Sequence, residues 1–119
     1  MKKIYLIILL LNIASCTTKQ AIIKSNQKQI AKDFFICKCL QYGLGEEINN
    51  EIVKIDMSMG MLFEIGDVGM YYKKIDSFAK IEITNLKPFQ LSDYGDKKPI
   101  ISKCLELSRS EKLNSILKE

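Results

Sequence analysis

The chain has 119 residues, with 18 lysines and arginines against 14 aspartates and glutamates, and it contains no histidine or tryptophan. The lack of histidine excludes Ser-His-Asp and Cys-His nucleophile pairs and the usual histidine-containing zinc sites, while carboxylate or Ser-Lys chemistry stays formally open. Lys2 and Lys3 carry half of the net +4 charge, and no Lys/Arg block of the sort that nucleic acid requires occurs beyond them.

The chain opens with those two lysines, then an unbroken apolar run from Ile4 to Leu11, then Ile13-Ala14-Ser15-Cys16. A charged start, a short apolar run and small residues before a cleavage point describe a secretory signal. The run is far short of the roughly 20 residues that cross a bilayer as a helix. Ile13-Ala14-Ser15-Cys16 resembles the lipobox of bacterial lipoproteins. That resemblance implies cleavage after Ser15 and lipidation of Cys16, which would anchor the chain to the periplasmic face of the envelope. Each buried methylene contributes about 0.8 kcal/mol to such an anchor. Thr17, in place of an acidic residue, favours the outer membrane. The expected organisation is a signal peptide over 1–15, a lipidated tether over 16–27 and one helical domain over 28–119.

A helix is expected from about Asn26, capped by Ser25 or Asn26. Ile30, Phe34, Cys37 and Gln41 form one row, and Ala31, Phe35, Cys39 and Tyr42 an adjacent row, so the apolar face is wide and the helix central. Gly43 and Gly45 end it. A second helix is expected over about Glu46 to Ile65, with Ile48, Ile52, Ile55, Met59 and Leu62 facing inward. Gly66-Asp67-Val68-Gly69 reads as a turn. A third helix follows from about Met70 to Ile81, burying Tyr71, Ile75, Phe78 and Ala79, and the cluster Met70-Tyr71-Tyr72 reads as core packing.

Residues 83–98 lack a helical period and carry Pro88, Gly95 and several turn formers. So long a connection inside a small domain is often functional. Its Phe89, Leu91 and Tyr94 are apt anchors for a partner, and Phe89, Gln90, Asp93 and Tyr94 are the candidate partner-binding residues. The competing reading has the same side chains pinning the loop to the core. Pro99 suits the first turn of a fourth helix, with Ile100, Ile101, Cys104, Leu105 and Leu107 inward. Ser110 caps a fifth, with Leu113, Ile116 and Leu117 inward. The fold class expected is therefore all-α, a compact bundle of about four to five helices.

Beyond Cys16, the cysteines are Cys37, Cys39 and Cys104. In an oxidising compartment a disulfide is expected. Pairing Cys37 with Cys39 is geometrically poor, so Cys104 is expected to bond one of the two, and three is odd, so one thiol is left over. A staple closing so long a loop is worth a few kcal/mol.

Two stretches carry a family resemblance. Lys32-Asp33-Phe34-Phe35-Ile36-Cys37-Lys38-Cys39-Leu40 resembles a segment in which Lys-Asp precedes an apolar run ending in Cys-Ile or Cys-Leu. Residues 102–113, Ser-Lys-Cys-Leu-Glu-Leu-Ser-Arg-Ser-Glu-Lys-Leu, resemble a C-terminal Lys-Cys-Leu-Asp-Leu-Tyr-His-Ser-Lys-Glu-Leu. In both, the likeness is to the immunity proteins of type VI secretion amidases, fourth class, and the stretch around Asp56-Met57-Ser58-Met59-Gly60 is similar to that family's small-residue helix. The likeness spans most of residues 30–119. Ser108-Arg109 stands where that family has Tyr-His, and Met57, Met59 and Met61 stand in a helix that is usually alanine-rich.

The resemblance implies an all-α periplasmic homodimer that plugs the cleft of a secreted peptidoglycan amidase, a Cys-His peptidase of the NlpC/P60 type. It implies no catalytic residue, metal or cofactor in this chain. It also implies a disulfide between Cys39 and Cys104, with Cys37 as the extra thiol. A second class shares the composition: a small structural or adaptor lipoprotein of the envelope. An enzyme would have to use Glu47, Glu51 or Asp67, which read more simply as a solvated helix face and a turn.

Overall fold

The computed structural model describes residues 26–90 and 92–118. The signal segment 1–15, Cys16, most of the tether and Leu91 lie outside the described residues. Among the described residues there are six α-helices and no strand, one helix more than the sequence predicts.

Helix α1 covers residues 26–44, so Asn26 and Gln27 are helical rather than part of the tether. The Gln27 side-chain oxygen accepts the backbone N–H of Asp67 at 2.9 Å. Ala31, Phe34, Phe35 and Cys39 recur at steps of three and four and are buried, which makes α1 the central element. Of the other expected row, Ile30, Cys37 and Gln41 are only half-buried. The chain leaves α1 at Gly45, whose φ of +83° is open to glycine but costly for other residues.

The expected helix over Glu46 to Ile65 is two helices, α2 (Glu46–Ile52) and α3 (Ser58–Ile65). The Asp56 carboxylate explains the break. It accepts the Ser58 backbone N–H at 3.1 Å and the Ser58 hydroxyl at 2.8 Å, a local bonding scheme that competes with the helical ladder. Ile55 thereby falls in the turn and is 90% exposed, against the expectation that it faces inward. At Gly66 the chain runs so close to α1 that a Cβ would meet Ile30 Cγ2 at 2.5 Å.

A short 3-10 turn (Val68–Met70) leads into α4 (Tyr72–Thr84). Ile75, Phe78 and Ala79 are buried as expected, and Ile83 joins them. Phe35 stacks on Phe78 with ring centroids 5.4 Å apart. Met70 and Tyr72 are exposed and Tyr71 half-buried, so the Met70-Tyr71-Tyr72 cluster is at most rim, not core.

After the loop come α5 (Ile100–Ser108) and α6 (Glu111–Ile116). Cys104 and Leu107 are buried, whereas Ile101 and Leu105 point outward, one residue off the stripe that α1 covers. Leu113 and Leu117 close the core from α6, which packs against α4 and α5. Cys39 of α1 and Cys104 of α5 form a disulfide with Cα atoms 5.7 Å apart, within the range such a bond requires.

Ser110 caps α6 as expected. Its hydroxyl accepts the Leu113 N–H at 3.2 Å and donates to the Leu107 carbonyl at 2.7 Å, tying the two helices at their corner. Ser110→Ala is expected to cost about 1 kcal/mol, read as a lower urea midpoint at unchanged slope. An unchanged midpoint would show that solvent replaces the cap.

Candidate functional site

The sequence places its four candidate residues in the connection between α4 and α5, and the structure gives that connection a shape. Leu86 packs on the core at one end and Ile100 at the other. Between them the Phe89 N–H donates to the Lys97 carbonyl at 3.2 Å, and the Lys97 N–H donates to the Tyr94 carbonyl at 3.1 Å. Gly95, with φ +58°, turns the chain after the short 3-10 segment Ser92–Tyr94. These bonds draw Phe89 and Tyr94 together edge to face, with centroids 6.3 Å apart.

Both rings are about half exposed, at 52% and 53%. Phe89 and Tyr94 therefore do not pin the loop to the core, as the competing expectation has it for them, while Leu91, its third side chain, lies outside the described residues; Leu86 and the two cross-loop hydrogen bonds hold the described part of the loop. Gln90 and Asp93 are exposed beside them. An open groove next to the rings is lined by Phe89, Tyr94, Lys97, Lys98, Pro99 and Ser102. The aromatic pair can seat an apolar anchor, and the two lysines, which the sequence reading did not single out, can meet a carboxylate.

A second surface was missed from the sequence. No residue of α2 or α3 is fully buried. Val53, Ile55, Met57, Met61, Phe63 and Ile65 are all exposed. Met57, Met61 and Ile65 are spaced by four and so form one outward ridge along α3. Contiguous apolar surface of this kind marks interaction sites in soluble domains. The signal was present in the sequence: α3 is apolar nearly all round, more than one covered face can use. The charge of this region is one-sided. Residues 46–71 hold six acids and the single cation Lys54, which is ion-paired with Glu51 at 2.6 Å.

A polar knot sets α1 against α4. Lys38 is buried and bonds Asp76 at 2.8 Å and Gln41 at 2.8 Å. The Tyr42 hydroxyl donates to Asp76 at 2.8 Å, and the Lys38 ammonium also lies over the Tyr42 and Tyr72 rings. Tyr72 in turn meets Phe63 and Phe34, so the knot and the aromatic triangle together hold α3 against α4.

Burial pushes the Asp76 carboxyl up, but the hydrogen bonds from Lys38 and Tyr42 outweigh it and hold the group below its usual value. Burial and the bond to Asp76 push the Tyr42 hydroxyl up to about 12. The depressed Asp76 stabilises the fold above pH ~4, its unfolded value, and that contribution is lost as pH falls through the lower folded value. The raised Tyr42 stabilises it below pH ~10 and that contribution is lost as pH rises toward about 12. Urea midpoints across pH should fall at both ends, with Tyr42→Phe flattening the alkaline limb and Asp76→Asn the acid one. Unchanged limbs in these variants would show that other groups govern them.

Among the described residues Cys37 is the free thiol. It opens onto a small cavity of about 140 Å³ shared with Leu40, Ile52, Asp56 and Met59. Burial first, then Asp56 and Asp33, push its titration up, so little thiolate forms near neutral pH. Among the described residues no cluster of three or more Cys, Asp or Glu side chains is arranged to hold a metal ion. Glu47 and Asp67 are exposed, as is Glu51 in its ion pair with Lys54. Compared with family models, curated proteins and solved structures, the chain matches none.

Proposed function

We propose that this is an immunity protein of the envelope, which binds a secreted peptidoglycan amidase of the Cys-His, NlpC/P60 type and occludes its active site. Lipid on Cys16 holds it at the periplasmic face, and it acts as a homodimer. The observation that carries the reading is the disulfide. The residues alone left Cys104 a choice of two partners, and the resemblance to the type VI amidase immunity proteins singled out Cys39, the cysteine that sits bonded to it in the fold. Two exposed apolar surfaces on a stapled helical frame support the same reading, because a stoichiometric inhibitor works by presenting rigid anchors to a cleft.

The test is co-purification of the full chain with an amidase encoded beside it, followed by peptidoglycan hydrolysis. Stable association with activity lost near equimolar ratio is expected. Phe89→Ala/Tyr94→Ala is expected to weaken binding by roughly 100-fold, as for a pair of interface anchors, while leaving the melting midpoint in place. Inhibition that survives this double change would move the anchor to the α3 ridge, where Met61→Asp is the corresponding variant. No association, with hydrolysis unaffected, would favour a structural or adaptor lipoprotein instead.

A further inference from the structure

Helix α2 is held to the rest of the molecule by little. Its half-buried residues are Asn49 and Ile52, and Glu46, Glu47, Ile48, Asn50 and Glu51 are exposed. None of its side chains packs on the core that α1, α4, α5 and α6 share. Its latch to α1 is a hydrogen bond that the Asn49 amide donates to the Gln41 carbonyl, one of the last carbonyls of α1, which have no partner within the helix. The packing beneath α2 is hollow: Cys37, Leu40 and Leu44 of α1 line the cavity of about 140 Å³ together with Asn49 and Ile52. Each end of α2 is a joint. Gly45 enters it with φ 83° and ψ 166°, a backbone conformation that is essentially glycine's alone. Beyond its last residue, the bonds from Ser58 to the Asp56 carboxylate break the helical ladder.

We infer that α2 is a lid, which opens as one unit about these two joints while the rest of the domain stays folded, and which uncovers Cys37, Leu40 and Leu44 as it opens. An element with few buried apolar contacts opens at far lower free energy than the whole fold, and a joint needs only a few residues that absorb the backbone change. The elements on either side are fixed. The disulfide ties α1 to α5, Met59 and Leu62 of α3 pack on the core, and the chain after α3 runs hard against Ile30 at Gly66. Opening therefore stops at the turn before α3. The inference does not depend on the amidase reading.

The test is amide hydrogen exchange of the full chain, with Cys16→Ser throughout so that Cys37 is the one reduced cysteine. The amides of Asn49, Val53 and Asp56 donate to the carbonyls of Gly45, Asn49 and Ile52. They should share one protection, at least about a hundredfold below that of the middle of α1 and α4. It should not change in urea below the unfolding midpoint, since the opening exposes little surface. Ser110→Ala, on α6, should speed exchange in α4 by about fivefold and leave these three amides unchanged. Gly45→Ala strains the closed lid and should speed their exchange by about tenfold. It should also speed the reaction of Cys37 with dithiobis-nitrobenzoate several-fold. In that reaction the thiolate attacks the disulfide of the reagent, a mixed disulfide forms and one thionitrobenzoate leaves. Protection equal to that of α1, a gradient of protection from one end of α2, or a Cys37 rate that Gly45→Ala leaves unchanged would each overturn the inference.

Discussion

Replacing both Cys39 and Cys104 with alanine should remove about 4 kcal/mol of stability. The bond joins residues 65 apart, and the loop entropy that it takes from the unfolded chain is of that size. Both sulfurs sit in the core with no exposure, so the folded state keeps the cross-link without remodelling. For a small domain, whose total stability is of order 5–15 kcal/mol, this is a large share. The measurement is a urea titration of the wild type, the double variant and the reduced wild type. The last two should agree, and a reduced wild type with an unmoved midpoint would refute the prediction. Cys39→Ala alone carries a sharper expectation. Cys37 lies two residues, roughly 200° of helix, away from Cys39, on the side that opens to α2 and α3. It cannot reach Cys104 while α1 and α5 stay packed, so the single variant should be as unstable as the double. Recovery of stability through a Cys37–Cys104 bond would show that α1 can rotate.

Phe35→Ala should cost a similar amount, about 4 kcal/mol. Phe35 has no exposed surface and stacks on Phe78 at the seam of α1 and α4. Truncation leaves a cavity between two helices already tied by Lys38 and Asp76, so they have little freedom to collapse into it. The melting temperature should drop by at least about 15 °C. Phe89→Ala is the matched comparison: the same residue type, half exposed on the loop, where the loss should stay within about 0.5 kcal/mol. A small effect at Phe35, or a large one at Phe89, would mean that Phe35 does not carry the core or that Phe89 is part of it.

The candidate site was legible in part. Turn residues and stranded aromatics marked the loop between α4 and α5, and Phe89 and Tyr94 do stand out from it. The sequence did not show that the two rings meet, because the Phe89–Lys97 hydrogen bond that draws them together is a closure of the backbone rather than a pattern of residue types. The ridge Met57-Met61-Ile65 escaped for a different reason. Its spacing is that of a core stripe, and the same spacing serves a surface kept open for a partner. Lys97 and Lys98 escaped because one more pair of lysines in a basic segment carries no signal until a fold sets it beside an aromatic pair.

By itself the sequence determined the helical class, the inward face of α4, the Ser110 cap and, of the two glycines expected to end α1, Gly45, since Gly43 stays within the helix. Each follows from a short-range cause: side-chain periodicity, a backbone angle that only glycine takes cheaply, or a hydroxyl within reach of an N–H three residues on. The tertiary structure alone decided which apolar faces are covered and that Lys38 finds Asp76 across two helices; the residues by themselves left Cys104 two partners, and the fold has Cys39, the one that the family resemblance implied. Periodicity tells which residues share a face, but whether another element lies over that face depends on how helices far apart in the chain pack. Ile101 and Leu105 point outward because α1 covers the neighbouring stripe of α5. Ile55 does so because Asp56 offered the backbone a turn where the apolar spacing would have carried a helix through.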